Sequence, residues 1–525
     1  MTFAKIRNSA FVLALTVAAA TVADGVQLFS PAAHAADAPQ LMHALGTISF
    51  PNSGNRTAQE PFLIGVKALH NFQFEEAAEA FRAAQTADPK FALAYWGEAM
   101  SYNHPLWAQQ DSQSARAVLA RFAPTAEKRA ALAPTARERG LLAAVETLYA
   151  TDRPEPGDKL ARDIAYEGAM GRLHRDFPDD DEIAIFHALS LLGTVRPGDT
   201  GVKRQMQAGA IALDVFGRNP NHPGAAHFVI HSFDDPEHAI LALPAARAYA
   251  GIAPDAPHAL HMPSHIFVQL GMWEGVVASN TVGFKSAVAL AERKHLDRGR
   301  DDFHALSWLQ YGHQQLGQFD LAAADLETGR SIERDHPTPR VRDGVLSMWA
   351  RQIVETEDWA NAPSSLETGD TAADASAQHA NHRTDGSNDF IFAVGLAAAK
   401  RGDLAVAQAA QSALKSAKSG TAYRDAIIDV GIFEIGAAIA DSKSQAGDAE
   451  KLLQEAVAAE SKLGAPSGPP RPMKPAFEMY GEFLLAQGRN AEAAEQFKAA
   501  LSRTPNRAKS VHGLVQARPQ AAAAN

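Results

Sequence analysis

The chain of 525 residues contains no cysteine. That absence removes disulfides, thiolate metal sites and cysteine nucleophiles together, and it suits an oxidising compartment, where a stray thiol is a liability. Positive charge is not in excess either: 49 Lys and Arg stand against 60 Asp and Glu, a formal net charge of −11 with the two signs interleaved. Without a basic patch to neutralise phosphates, nucleic-acid binding is disfavoured. Beyond the N-terminus, no stretch reaches the roughly 18 uninterrupted apolar residues of a membrane span. Also missing are a Gly-rich phosphate loop, a GxSxG elbow, an EF-hand loop and the HExxH pattern of hydrolytic zinc sites.

The N-terminal 35 residues read as an address rather than as part of the fold. Lys5 and Arg7 precede an apolar run from Ala10 to Ala23, and "AHA" at Ala33 to Ala35 offers the small-x-small pattern of signal-peptide cleavage. Export to a periplasm or to the outside is the expectation, with residues 1–35 removed and 36–57 forming a lead-in segment.

What the chain has in quantity is a period. In "FEMYGEFLLAQGRNAEAAEQFKAALSRTP", Phe477, Gly481, Gly488, Ala493, Phe497, Ala500 and Pro505 fall at offsets 4, 8, 15, 20, 24, 27 and 32, the marks of the tetratricopeptide (TPR) repeat. Small residues at 8, 20 and 27 let two helices approach, a large one at 24 fills the space between them, and proline at 32 ends the second helix. "FLIGVKALHNFQFEEAAEAFRAAQTADP" repeats the arrangement through Gly65, Ala77, Phe81, Ala84 and Pro89; "IFAVGLAAAKRGDLAVAQAAQSAL" does so more loosely. The predicted fold is all-α, a TPR-type solenoid of helical hairpins, at about 34 residues per unit no more than about 14 of them. Residues 58–360 are expected to form hairpins, 361–388 an exposed Ser/Thr/Asp/Gly-rich loop, 389–507 further hairpins and 508–525 a tail. The stretch Phe122 to Arg139 is ambiguous, and "DDDE" at Asp179 to Glu182 reads as a solvated helix start.

Ten of the 20 histidines lie between His222 and His313. "HFVIH" (His227 to His231) and "HMPSH" (His261 to His265) are one TPR unit, 34 residues, apart. The i, i+4 spacing puts each pair on one side of its helix, about 6 Å apart along the axis. His227, His231, His261 and His265 are therefore the expected inner shell of a site, with His258 and His304 as auxiliary ligands. Pro263 predicts a helix beginning near His261, and Pro223 the start of the one bearing His227; neutral imidazoles near a helix N-terminus suit copper, zinc, nickel or iron. His70 and His104 are again 34 apart; resemblance to TPR proteins, whose groove is lined by such positions, implies that they and Asn103 line a more distant wall of it, with Trp96 and Tyr311 also facing it. The bland alternative is a buried polar seam whose imidazoles bond to one another, to Asp234 or Asp235, or to backbone. Both pairs lack the glutamate of HExxH, so no general base accompanies them.

Beyond the repeat, "FALAYWGEAMSYNHP", "HPGAAHFVIHSFDDPEHA", "APDAPHALHMPSHIFVQLGMWEGVVASN" and "PPRPMKPAFEMYGEFLLAQGRNAEAAEQFKAAL" resemble a family of bacterial TPR-domain proteins carrying an HMPSH motif. The resemblance spans nearly all of the chain after the leader. It implies a right-handed helical solenoid with the histidine hairpins in its middle, and, as in TPR proteins generally, a concave groove facing positions 2, 5, 9, 12 and 13. It implies no activity. Three readings stay open: a groove that binds a protein, peptide or small ligand beside a histidine-lined and metal-capable centre, a metalloenzyme with a multi-histidine copper, iron or zinc centre, and a metal-free interaction scaffold.

Overall fold

The structure, a computed structural model, describes residues 44–150, 159–199, 201–296, 298–299, 301–367 and 385–518. The expected leader 1–35, the start of the lead-in segment, the centre of the 361–388 loop and the end of the C-terminal tail lie outside them.

The architecture is all-α, a succession of helices in which neighbours along the chain pack as hairpins. The strands among the described residues are two-residue segments, Asn103–His104 paired antiparallel with Gln109–Gln110. The repeat marks act through volume. Ala77, Phe81 and Ala84 are wholly buried between Arg56–His70 and Phe74–Ala87, and a Cβ on Gly65 would stand 2.8 Å from the Phe81 ring. Gly97, on the next helix, Ala92–Met100, meets the same ring from the other side. Phe497 repeats the device between Ala476–Ala486 and Asn490–Arg503, with a Cβ on Gly481 placed 2.9 Å from its ring. One aromatic side chain thus locks three helices, which is why the marks recur at fixed spacing.

Several boundaries differ from the sequence expectation. The first helix starts at Arg56, because the Asn55 side chain caps it by accepting from the Thr57 and Ala58 N–H groups, both at 3.0 Å. The ambiguous 122–139 stretch contains the helix Ala126–Leu132 and the start of Ala136–Leu148, the latter opened by a Thr135/Glu138 capping box. The final segment is no loose tail: it forms the helix Ala508–Gln516.

Both ends of the described chain return to the middle. In the lead-in segment, the Thr47 N–H donates to the Asn221 carbonyl at 2.9 Å and the Ala44 N–H to Asp255 at 3.0 Å. At the other end, Trp273 Nε1 donates to the Asn506 carbonyl at 3.0 Å and Gln269 Nε2 to that of Pro466 at 2.8 Å. Buried Arg507 donates to Glu355 at 2.7 Å, to Tyr311 Oη at 3.3 Å, and with Nε and Nη2 to Glu478 at 2.8 and 3.0 Å. The central helices that carry the histidines are therefore held from both sides.

Candidate metal centre

Three successive segments supply the histidines. Pro223 opens the helix Pro223–Ser232, as its fixed φ and missing N–H favour, and this helix carries His227 and His231. The second segment departs from expectation. Its helix begins at Pro257, not near His261, and runs Pro257–His261, then Pro263–Gln269, joined through Met262 in helical conformation (φ −55°, ψ −33°). Pro263 interrupts the hydrogen-bond ladder without ending the helical path, so His258, His261 and His265 all stay on one face. His304 comes from Asp301–Gln315. Gly283, on Trp273–Lys294, permits the close fit: a Cβ there would lie 3.1 Å from that of His261.

The six rings fall into two triads of three, where the sequence pattern suggested an inner four and an auxiliary two. His227, His231 and His258 converge in one, and His261, His265 and His304 in the other, with one ligand nitrogen from each residue lying within 4.8 Å of the others in its triad. His227 Nε2 is 3.0 Å from His231 Nε2 and 3.1 Å from His258 Nε2; His261 Nε2 is 3.1 Å from His265 Nε2. Phe72 packs edge-on to His227 at 4.4 Å between centroids, and Trp308 lies 4.3 Å from the His265 ring.

Each triad is oriented from behind. His227 Nδ1–H donates to the His70 carbonyl at 2.6 Å, His261 Nδ1–H to Asn280 Oδ1 at 2.6 Å, and His265 Nδ1–H to Asp234 Oδ2 at 2.7 Å. The acceptors fix the tautomers. A backbone carbonyl and a carboxylate can only accept, and the Asn280 amide nitrogen is already donating to the Val276 carbonyl at 2.8 Å, which turns its oxygen to His261. Neutral rings with Nδ1 protonated have bare Nε2 atoms. Burial, followed by the neighbouring imidazoles, holds His227, His231, His258 and His261 well below the usual 6.5, so they are neutral at physiological pH. Burial, not the dipole of a helix N-terminus, is the cause: His261 is the last residue of its short helix.

At His261 the bare Nε2 presents its lone pair to His265 Nε2 at 3.1 Å. A cation between the two nitrogens fits that arrangement. Two nitrogens bound to one tetrahedral ion at 2.0–2.1 Å would lie about 3.3 Å apart, close to what is found. At His227 and His261, a protonated Nδ1 held by a carbonyl oxygen with a bare Nε2 on the far side is the arrangement of ligating histidine.

A third group, His70, Glu182 and His222, is wholly buried and reads differently. His222 caps its helix, its Nδ1 accepting the Ala225 N–H at 3.2 Å, and its Nε2 lies 3.2 Å from Glu182 Oε1. His70 Nε2–H donates to Glu182 Oε2 at 2.8 Å. Burial alone would raise the Glu182 pKa, but the two imidazoles draw it down to about 2. This is a hydrogen-bonded clamp on the residue whose carbonyl orients His227. Glu182 is accordingly no part of a solvated helix start; the helix is capped by Asp180, whose carboxylate accepts the Ile183 N–H at 3.0 Å and pairs with Arg137.

The remaining sequence candidates scatter. His104 stacks on Phe74 at 4.0 Å, and Asn103 Oδ1 accepts from Lys159 Nζ at 3.0 Å; neither joins a triad. Trp96, expected on the groove, is wholly buried against Phe50 and Phe186, and Tyr311 is buried on Arg507 and Trp273. Large rings on these helices fill space between hairpins. Asn280 and Glu182 carry no sequence signal as supports, since neither stands near the histidines in sequence and Asn280 merely fits the helical spacing of its own helix.

No family model matches the chain, and no curated protein does. Solved structures that align include the human IFIT1 dimer with m7Gppp-AAAA, at 14% identity over 88% of this chain and 81% of that one, TM-score 0.34. The P58(IPK) TPR domain aligns at 14% identity over 88% and 97%, TM-score 0.22, and yeast Tom70 at 10% over 88% and 94%, TM-score 0.33. These alignments span most of the chain but superpose it poorly, and nothing about the site is carried over from them.

Proposed function

We propose that this chain is an exported repeat protein whose TPR-like helices hold two transition-metal ions, one in each histidine triad, at a site that receives a small ligand. The observation that carries this reading is the convergence of three imidazole nitrogens within 4.8 Å of one another in each triad, with His261 Nε2 and His265 Nε2 facing at 3.1 Å and their Nδ1 atoms bonded to Asn280 and Asp234. Imidazole nitrogens suit copper, zinc, iron and nickel, and each triad leaves a position open for a further ligand. His304 is exposed and His231 half-buried, so one ring of each triad meets solvent while the others are buried.

The test is metal analysis of protein purified without a polyhistidine tag and equilibrated with copper or zinc. Two ions per chain are expected, falling to about one in His261→Ala and in His227→Ala. Sub-stoichiometric metal that neither substitution changes would sink the reading in favour of a metal-free scaffold.

A further inference from the structure

The two triads form a single cluster. His231 and His265, from different triads, have ring centroids 6.0 Å apart, and His258 and His261 6.3 Å; His231 and His258, inside one triad, are also 6.3 Å apart. Ions at the two foci are thus neighbours, as in two-metal sites whose ions act together on one small molecule. Every donor is a neutral nitrogen, and neither triad includes a carboxylate. A hydrolytic pair draws on a carboxylate to bridge its ions or to take a proton from water, and the triads supply none. Two divalent ions would bring four positive charges into this neutral set, with the Asp234 carboxylate behind one ring to offset them. Such a set favours monovalent ions, or divalent ions that share a bridging anion.

Copper satisfies both conditions. Imidazole suits it, it heads the order of divalent affinities, and it alternates between +1 and +2. The apolar faces of Phe72 and Trp308 against the rings, and the openings at His231 and His304, suit a small uncharged ligand.

We infer that the paired triads hold two copper ions that bind dioxygen between them. This rests on the reading of the triads as metal sites. Each Cu(I) gives one electron; both become Cu(II), and O2 becomes a bridging peroxide dianion with its O–O bond intact and no proton consumed. The bridging dianion supplies the negative charge that the six imidazoles lack, which is why the neutral ligand set and the adjacency of the triads belong together.

The test loads untagged apo-protein anaerobically with Cu(I) and titrates it with dioxygen. Expected are two coppers per chain, one O2 taken up for every two coppers, a new intense near-ultraviolet absorption, and no EPR signal, because spins coupled through the bridge cancel. His258→Ala and His304→Ala each remove a ligand from a different triad. Each should keep about one copper, lose dioxygen uptake and show an isolated Cu(II) EPR signal once oxidised; His304→Gln is the companion should the alanine variant fail to fold. Two bound coppers that give two EPR-visible Cu(II) ions, or dioxygen uptake that survives in a one-copper variant, overturns the dioxygen inference and leaves the metal centre standing. Wild-type protein that binds fewer than two coppers overturns both.

Discussion

Replacing Asp234 by asparagine tests the support of one triad without touching a ligand. Asp234 Oδ2 accepts the His265 Nδ1 proton at 2.7 Å and Oδ1 accepts from Gln269 Nε2 at 3.1 Å. Asparagine has a single oxygen for these two donors. If that oxygen stays on His265, its amide group faces the Gln269 amide, donor against donor; Gln269 keeps its bond to the Pro466 carbonyl at 2.8 Å and can turn away. The lost quantity is then mainly the negative charge that makes His265 Nε2 more basic. Removing such a partner lowers metal affinity by about 10- to 100-fold, or about 1.4 to 2.7 kcal/mol. Only the triad of His261, His265 and His304 rests on Asp234. Chelator competition followed by metal release should therefore become biphasic, with one ion weakened and the other, on His227, His231 and His258, unchanged. Apo-protein stability should change by no more than one hydrogen bond, about 1 kcal/mol. A release curve in which neither ion weakens, or both weaken equally, refutes the assignment of Asp234 to one triad.

Metal-free protein should lose stability as pH falls below about 6.5. His227, His231, His258 and His261 stay neutral when folded but take up protons when unfolded, so the unfolded state binds more protons and is favoured by acid, by about 1.4 kcal/mol per histidine per pH unit until the folded pKa is reached; urea titrations of apo-protein at pH 7 and pH 5 read this directly. Glu434 predicts the opposite slope. Burial, and then Glu460, raise its pKa well above 4.5, and neither of its oxygens has a partner, so the folded state holds a proton that the unfolded state releases. Relative to wild type, Glu434→Gln should gain stability at about 1.4 kcal/mol per pH unit above 4.5, seen as melting temperatures that diverge toward alkaline pH. Gly97→Ala should cost about 1–3 kcal/mol in chemical denaturation, because the new methyl group runs into the Phe81 ring that three helices share.

The hairpins were legible because their signal is steric and local: Gly65 and Phe81, or Gly481 and Phe497, meet across one turn of chain and must be small and large in fixed order. The 34-residue register singled out His227, His231, His261 and His265 for the same reason, since identical positions on successive hairpins face the same way. The division into threes was not legible. His258 lies on the same face as His261 yet turns to His227, a choice set by how two helices cross. Pro263 misled because proline at a helix start and proline tolerated between two short helices look alike in sequence. Glu182 misled because three aspartates, none of them buried, precede it; only burial against His70 and His222 separates it from them. Trp96 and Tyr311 sit in register with the groove but are consumed by packing between repeats.

The return of both ends of the described chain to the centre sets an order of events for a chain that folds as it emerges. The six histidines span residues 227 to 304 and arise from neighbouring helices, but the carbonyl that orients His227 lies 157 residues upstream, and the Pro466 carbonyl that anchors Gln269, the partner of Asp234, lies 197 residues downstream. Until the last hairpins are delivered, His265 has its carboxylate but not the brace behind it. A nascent or proteolytically shortened chain would hold its histidines without holding them in place, so under the proposed metal reading tight loading would need the C-terminal hairpins, and metal retention would report on whether they are docked.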